Sequence, residues 1–474
     1  MLFSSFEFLL VFLPLAVLGY FAAARVLPRW GAFGVLALAS LAFYGYWDWR
    51  YLFLLVPSIA ANYTLGRVLA ARGSPRVKRA ILIAGISLNI VLIAVFKYAD
   101  FVAGTLSSIF GFEHEPWRIV LPLGISFFTF QQVAYLVDCA REEQPERSIV
   151  NYTLFVTFFA QLIAGPIVHH KSMLPQFRLA GAVRPSASRI SAGLMWLSFG
   201  LFKKVVVADT LSPWVAAAFD GTGDIGTEGA WAGAIAYTLQ IYFDFSGYSD
   251  MAIGLGMLFN IRLPENFNSP YKATSIVDFW RRWHMTLSAF LRDYVYIPLG
   301  GNRSGPSRRY VNLLLTMLIG GLWHGSAWTF VVWGALHGIY LCINHAWSRF
   351  GFGLPKPIAW MCTILSVIVA WVLFRAVPVG DDGGFERAIE ILAAMVGFGS
   401  ETSRFEPESW QWGTMLAAGL WCVVAPNTSR FLTSKPQGVA TGLIAAGAFI
   451  AAMLLLRETI TADGRVTEFI YFQF

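Results

Sequence analysis

The sequence predicts an all-α polytopic membrane protein: a helix bundle of about 10 to 12 spans, with re-entrant and interfacial amphipathic helices. Composition is the first reason, because 57% of the 474 residues are hydrophobic and 13% are charged, whereas a soluble domain is about 25% charged. The second reason is that apolar runs of bilayer length, roughly 20 residues, recur along the whole chain. These runs do not alternate with period two, which disfavours a transmembrane barrel.

The clearest spans are apolar runs distributed from the first residues to the last. They cover residues 8–24, 51–69, 80–98, 119–137, 190–207, 235–259 and 438–456. Weaker runs cover residues 33–43, 154–168, 313–323, 329–342, 358–374 and 415–424. No long repeat and no Pro/Ser-rich linker interrupts the series, so we expect a single domain over residues 1–474.

Basic loops indicate the orientation of the chain. The net charge is +7, but Lys and Arg are scattered through the loops between spans, as the positive-inside rule expects, so we predict no nucleic-acid partner. Basic residues at 25–29 and 72–79 mark two cytoplasmic loops, which places the N-terminus on the periplasmic side. Counting every later run as a span would put the basic loop at 171–184 on the wrong side. We therefore expect the segment near Leu154 to enter the membrane without crossing it.

Residues 320–340, GGLWHGSAWTFVVWGALHGIY, place His324 and His337 in an otherwise apolar stretch. A full charge at membrane depth costs about 2.5 to 3.5 kcal/mol, so a titratable group there marks a functional site, and histidine exchanges protons near neutral pH. Glycines on both sides of His324 are expected to break the helix, and irregular backbone at this depth lines a cavity or is buried in protein. The alternative is a packing seam of small residues with a structural histidine.

The two histidines are not equivalent. On a continuous helix, His337 would lie about 220° around the axis from His324, so the two would not share a face. We therefore interpret His324 as the candidate catalytic residue and His337 as a packing residue. The other histidines, which rank lower because they lie near predicted loops, are His114, His169, His170 and His345.

A basic segment, residues 260–310, precedes the histidine stretch. Ser275 and Asp278 have the spacing of a helix N-cap, and one face of the predicted amphipathic helix is apolar. Its residues are Trp280, Trp283, Leu287, Phe290, Leu291 and Tyr294, whereas Asp278, Arg281 and Arg292 lie opposite. His284 falls near the boundary. One interpretation is that the helix lies in the membrane interface. The other is that it delivers His284 to a cavity and that the arginines of the helix attract an anionic donor. The two interpretations are compatible.

Three polar residues interrupt the apolar run QIYFDFSGYSDMAIGLG: Asp244, Ser246 and Asp250. Buried carboxylates can relay protons, bind a cation or orient a histidine, but we prefer a hydrogen-bonded structural knot. PENFNSPY, residues 264–271, is rich in turn residues and predicts a shaped loop. The four cysteines are isolated, so we predict neither a metal site nor a disulfide framework.

Several catalytic motifs do not occur. The sequence contains no GxSxG elbow, no Walker A motif, no HExxH and no GxGxxG that opens a helix after a strand, which leaves a covalent serine mechanism and ATP hydrolysis unsupported. What remains is proton transfer by histidine, a form of general base catalysis that contributes about 10² to 10⁴ in rate.

Long stretches of the chain resemble one family. They are LPLGISFFTFQQVAYLVDC at 121–139, QIYFDFSGYSDMAIGLG at 240–256, LPENFNSPY at 263–271, DFWRRWHMTLSAFLRDYVYIPLGGNR at 278–303, GGLWHGSAWTFVVWGALHG at 320–338 and the terminal FIYFQF at 469–474. These motifs are similar to those of the membrane-bound O-acyltransferases, in particular the bacterial subgroup that O-acetylates alginate.

This resemblance implies a bundle around a central tunnel, in which the WHG histidine, His324, is the essential catalytic residue and the RWH histidine, His284, is the second site residue. It implies transfer of an acetyl group from a thioester donor, cytoplasmic acetyl-CoA, with no tightly bound cofactor. The transfer would run toward the periplasm across a bacterial inner membrane. The acceptor would be an exopolysaccharide such as alginate or cellulose, or a periplasmic acetyltransferase partner protein.

One departure and two alternatives remain. In GPIVHHKSMLPQF, His169 stands where many relatives have an arginine, which weakens any inference that this loop binds the same partner. A proton-coupled transporter or flippase for a polysaccharide precursor would use Asp244 or Asp250 in a proton path. A noncatalytic scaffold would recruit a periplasmic transferase instead.

Overall fold

The computed structural model describes residues 1–71, 73–142, 144–179, 181–303, 305–376, 384–434, 438–463 and 467–470. Every regular element in these ranges is a helix, which confirms the all-α prediction. The chain forms two compact units, one of Met1–Ser198 with Tyr248–Pro264 and one of Phe199–Gly247 with Glu265–Phe474. The single domain over residues 1–474 stays a prediction.

The first unit contains the N-terminal helices, several of which begin with π-helical or 3₁₀ turns. They are α1 (Leu13–Val26), α2 (Arg29–Gly45), α3 (Leu52–Ala70), α4 (Pro75–Ile93), α5 (Ala99–Phe110), α6 (Ile125–Glu142), α7 (Ile149–Thr157), α8 (Phe159–Leu162), α9 (His170–Phe177) and most of α10 (Ala187–Leu201). Pro75 at the first position of α4 fits its fixed φ, and Ser74 caps that helix by accepting from Val77 N at 3.4 Å.

The segment after α6 returns close to the residues from which it started. Ser148 caps α7, which has nine residues and so extends about 13 Å, less than half of the roughly 30 Å hydrocarbon core. Non-helical backbone at Phe158 (ψ 113°) then ends the helix. After α9, Arg178 Nη2 donates to Glu146 Oε2 at 3.0 Å, close to the start of α7. The chain therefore reverses direction after α7, whereas entry of the segment near Leu154 into the membrane stays a prediction.

The second unit contains the helices that carry the candidate site. They are α11 (Asp209–Phe219), most of α12 (Thr227–Leu258), α13 (Ile276–Trp280), α14 (Met285–Leu291), α15 (Gly305–His324), α16 (Trp328–Trp347), α17 (Lys356–Arg375), α18 (Phe385–Ala393), α19 (Ser409–Val424), α20 (Thr428–Ser434) and α21 (Val439–Asp463). The loop of residues 264–269 and a 3₁₀ turn at Pro270–Lys272 precede α13, as PENFNSPY predicted.

Among the described residues, six helical stretches have the length and apolar composition to cross a membrane. They are Glu7–Val26, Trp49–Ala70, Pro75–Phe110, Ala187–Phe219, Lys356–Arg375 and Val439–Ala462. The protein is therefore a multi-pass membrane protein. The larger count of about ten to twelve spans stays a prediction.

Candidate active site

His324 lies at the turn of a helical hairpin. α15 ends at His324 and α16 begins at Trp328, and between them Ala327 is extended (φ −142°, ψ 150°). The helix therefore breaks at Gly325, as the glycines predicted. This break contradicts the continuous helix from which we placed His337 about 220° away from His324, because α15 and α16 pack side by side instead.

The same hairpin contains the small-residue seam that was the alternative interpretation. A Cβ on Gly321 would lie 3.1 Å from Cα of Gly334, and a Cβ on Gly334 would lie 3.2 Å from Cα of Gly321. Gly338 extends the seam, since a Cβ there would lie 3.0 Å from Cα of Leu314. Only glycine permits so close an approach of two backbones, and this approach fixes the position of the turn that carries His324.

Aromatic rings surround the His324 imidazole. The side chain is buried, with 4% of its surface exposed. Its ring centroid lies 4.9 Å from Trp323, 5.0 Å from Trp333 and 5.0 Å from Phe374, which α17 supplies. All three contacts are edge-to-face, the arrangement that aromatic rings prefer. The histidine is thus held in a dry environment, where electrostatic interactions are stronger than in water.

His284 lies at a second helix break, which corrects the prediction of one amphipathic helix. Ser275 caps α13 as predicted, and its Oγ accepts from Asp278 N at 3.1 Å. α13 nevertheless ends at Trp280, and His284 adopts a left-handed conformation (φ 42°, ψ 54°) before α14. That conformation is uncommon outside glycine, although histidine is among the residues that tolerate it.

The loop before α13 explains this break. Met285 N donates to Asn266 O at 2.9 Å, and Asn268 N donates to Arg282 O at 2.9 Å, so the loop replaces the hydrogen bonds that a continuous helix would make. The kink turns His284 fully inward, with 0% exposure, rather than to the predicted boundary between faces. Arg281 remains exposed, as predicted for the basic face.

Asn266 is a site residue that sequence reasoning missed. Its Oδ1 lies 3.1 Å from His284 Nδ1 and accepts from Thr286 Oγ1 at 2.8 Å and from Thr286 N at 3.3 Å. It is buried, with 1% exposure. The signal available in the sequence was the Asn266 amide within the turn-rich motif PENFNSPY. Nothing in the sequence indicated that this loop folds onto His284, which lies 18 positions later.

The structure brings both predicted site histidines against one tryptophan. The ring of Trp323 lies 4.9 Å from His324 and 5.9 Å from His284. On its other side, His284 contacts Phe245 at 4.7 Å. His284 is neutral at physiological pH, because burial lowers the pKa of its imidazole to about 3. The catalytic roles of His284 and His324 stay predictions, although their proximity is consistent with one site.

His337 has the contacts expected of a packing residue. It is fully buried, and its Nδ1 accepts a hydrogen bond from Trp280 Nε1 at 3.3 Å. Its ring lies 4.7 Å from Trp333, which also contacts His324. His337 therefore connects α13 to the hairpin, and Trp333 contacts both His337 and His324.

Asp244 takes part in a structural knot, which agrees with our preferred interpretation. Its carboxylate pairs with Lys204 Nζ at 2.7 Å and accepts from Ile470 N at 3.0 Å, while Lys204 also pairs with Asp209 at 2.7 Å. The last four residues, 471–474, which end the FIYFQF motif, lie outside the described residues. Asp250 belongs to the other unit and is buried there.

No metal site is found in the part of the chain that the structure describes: no three or more His, Cys, Asp or Glu side chains cluster there as ligands would. All four cysteines are free.

His284, Trp323 and His324 all lie within one family match. Residues 125–376, more than half of the chain, match the family described as MBOAT, membrane-bound O-acyltransferase family. The chain belongs to the membrane-bound O-acyltransferase family. As a member of this family, it is an O-acyltransferase, which confirms the class implied by the sequence resemblance.

Individual relatives of this family member support the same class. A peptidoglycan O-acetyltransferase of Helicobacter pylori is 44% identical over 432 residues, 84% of this chain and 80% of the relative. A probable alginate O-acetylase of Azotobacter vinelandii is 40% identical over 450 residues, 92% of this chain and 86% of the relative. A teichoic acid D-alanyltransferase of Bacillus subtilis is 27% identical over 273 residues, 55% of this chain and 68% of the relative.

Proposed function

We propose that the protein transfers acetyl groups from cytoplasmic acetyl-CoA to hydroxyl groups of an exopolysaccharide on the periplasmic side of the bacterial inner membrane. Relatives that are named for O-acetylation of alginate and of peptidoglycan cover most of the chain, which favours acetyl as the transferred group and a glycan as the acceptor. Alginate and cellulose are the exopolysaccharides to compare, and peptidoglycan is tested beside them because one relative is named for its O-acetylation. A periplasmic acetyltransferase partner protein is the other acceptor class.

The observation that carries the proposal is His324 at the break of the α15–α16 hairpin, buried among aromatic rings and sharing Trp323 with His284. A neutral imidazole there acts as general base. It takes the proton of the acceptor hydroxyl as that oxygen forms a bond to the thioester carbonyl carbon. The carbon–sulfur bond then breaks, and the imidazolium returns the proton to the leaving thiolate, so that the products are an ester and free CoA.

The distribution of basic residues supports the proposed orientation of the chain in the membrane. The chain returns after α6 so that Arg178 lies beside Glu146. The basic loop that follows α9 therefore lies at the same end of the first unit as the loop after α6. With the N-terminus in the periplasm, this end is cytoplasmic, as the positive-inside rule expects. Exposed Arg281 supplies positive charge that attracts the phosphates of CoA, whereas the charge of Arg292 is paired with that of Asp293 at 2.7 Å.

The test uses the purified full chain in proteoliposomes, with labelled acetyl-CoA and alginate, cellulose or peptidoglycan fragments. We expect His324→Ala to lower ester formation and CoA release by at least about 100-fold. His345→Ala is the matched control, because His345 is a half-buried histidine near the end of α16 that contacts Arg309. Its activity should equal that of the unmodified protein.

Normal transfer by His324→Ala at equal abundance would remove that residue from the mechanism. Failure of the unmodified protein to cleave the thioester, together with proton-dependent uptake of a glycan precursor, would favour the transporter class. Wild-type behaviour of both His324→Ala and His284→Ala, with a partner protein still bound, would favour a scaffold.

A further inference from the structure

The contact between Asn266 and His284 determines which nitrogen of the imidazole carries the hydrogen. Asn266 Oδ1 is shared by three groups: His284 Nδ1 at 3.1 Å, Thr286 Oγ1 at 2.8 Å and Thr286 N at 3.3 Å. All three residues are buried. In this network the donor and the acceptor of each of these bonds can be identified.

The backbone N–H of Thr286 fixes the orientation of the Asn266 amide. A backbone nitrogen only donates, so the amide atom that faces it is the carbonyl oxygen. An amide oxygen only accepts, so His284 Nδ1 must carry the hydrogen in order to bond to it. A neutral imidazole has one hydrogen on its two nitrogens, and Nε2 is consequently left with a lone pair.

His284 Nε2 is buried and has no hydrogen-bond partner among the described residues. Burial holds the imidazole neutral by lowering its pKa to about 3, so Nε2 acquires no second hydrogen near neutral pH. Leaving a buried acceptor without a hydrogen bond is unfavourable. The left-handed backbone at His284 (φ 42°) is a second locally unfavourable feature at the same residue, and strained backbone of this kind clusters at functional sites.

We propose that Asn266 is a positioning residue that holds His284 in the Nδ1–H tautomer, so that Nε2 accepts a hydrogen bond from the hydroxyl or thiol of a substrate during acyl transfer. This inference rests on the proposed function. It assigns Nε2 of His284 as a hydrogen-bond acceptor toward the substrate, so that this nitrogen does not donate a hydrogen bond to the thioester carbonyl. The arrangement resembles other sites in which a partner of one imidazole nitrogen sets the tautomer of the whole ring.

His337 provides an internal contrast. Its Nδ1 faces Trp280 Nε1 at 3.3 Å, and an indole nitrogen only donates. Nδ1 of His337 therefore accepts, and Nε2 carries the hydrogen. The two buried histidines are expected to be neutral rings of opposite tautomer, one with the hydrogen on Nδ1 and the other with it on Nε2.

The test is ¹⁵N NMR of the full chain with labelled histidine in detergent micelles, because nitrogens with and without a hydrogen have well-separated shifts. The His284 signals are assigned by their loss in His284→Asn, and those of His337 by their loss in His337→Asn. We expect Nδ1–H for His284 and Nε2–H for His337. An Nε2–H tautomer at His284 in the unmodified protein overturns the proposal without any activity measurement.

Three variants test the positioning role. Asn266→Leu removes the acceptor and is expected to mix the His284 tautomers and to lower acetyl transfer about 10- to 100-fold. Asn266→Asp restores an acceptor oxygen and is expected to restore the Nδ1–H tautomer and most of the transfer. Thr286→Val is the control, since it removes a bond to Asn266 but leaves the bond to His284 and should preserve both readouts.

Unchanged transfer in Asn266→Leu, with its tautomers mixed, would overturn the positioning role. If Asn266→Leu does not fold, Asn266→Asp and the unmodified protein still decide the tautomer. Failure of the proposed function is distinguishable, because the unmodified protein would then transfer no acetyl group while its NMR spectrum remained interpretable.

Discussion

Gly325, the residue after His324, has no space for a side chain. A Cβ at this position would lie 2.9 Å from Cζ of Phe330 and closer still to Cε2 and Cδ2 of the same ring. Carbon atoms in contact lie about 3.5 to 4.0 Å apart, so Gly325→Ala requires the Phe330 ring to move by about 1 Å or more. That ring lies 5.0 Å from Phe374, and Phe374 lies 5.0 Å from His324.

The displacement is therefore expected to reach the imidazole that we propose as the general base. Misplacement of a reacting group by about 1 Å lowers the rate about 100-fold, and overpacking a core costs about 1 to 3 kcal/mol of stability. We predict that Gly325→Ala lowers acetyl transfer about 100-fold while the protein remains folded. The assay is ester formation in proteoliposomes at equal protein abundance, with thermal unfolding measured in parallel.

A control and a rescue make this prediction specific. Gly320, five residues earlier, lies on α15; a Cβ there would meet only the flexible end of Leu291 at 3.1 Å, so Gly320→Ala should keep most of the activity. Gly325→Ala combined with Phe330→Leu should recover part of the transfer, because the smaller side chain frees space. Full activity in Gly325→Ala, or an equal loss in Gly320→Ala, would refute the reasoning.

Three further predictions concern stability, each measured by unfolding in detergent. Lys204→Met leaves Asp244 without its buried ion partner and should lower the free energy of unfolding by about 3 to 5 kcal/mol. An unchanged unfolding midpoint would contradict a stabilising ion pair. His284, whose pKa falls from 6.5 to about 3 on burial, binds a proton only in the unfolded chain between these pH values. Stability should therefore fall by about 1.4 kcal/mol per pH unit through this side chain as the pH drops below about 6.5, and His284→Asn, compared with the unmodified protein at about pH 6 and pH 5, should lose that slope. Ser275→Ala removes the cap of α13 and should cost about 1 kcal/mol, whereas no change would mean that this bond contributes little.

Local features of the sequence predicted much of this structure. Composition and apolar runs predicted the helical membrane fold, and the spacing of Ser275 and Asp278 predicted the start of α13, because a cap depends on residues three positions apart. Gly325 predicted the break after His324 for a similar reason. The return of the chain after α7 was anticipated from charge, since the basic loop that follows would otherwise lie on the wrong side of the membrane.

Contacts between distant residues were beyond such reasoning. The periodicity of Trp280, Trp283 and Leu287 fits one continuous helix, and only Asn266, folded back from the preceding loop, explains why the helix breaks at His284. The partner of Asp244 was equally hidden, because Lys204 lies in an apolar run 40 positions earlier. The periodicity of apolar residues predicts a single helix at a time, whereas these contacts depend on how several helices and loops pack together.

The left-handed backbone of His284 determines which substitutions at this position are informative. A residue there must supply an imidazole and must also tolerate φ of 42°, a requirement that Gly, Asn and Asp meet and that β-branched residues do not. Loss of activity in His284→Val would therefore mix a missing ring with a distorted turn. In a saturation scan of this codon, the transfer activity of the Asn and Gly variants would measure the effect of losing the imidazole alone. The further loss of activity in the Val or Ile variants would measure the effect of distorting the turn.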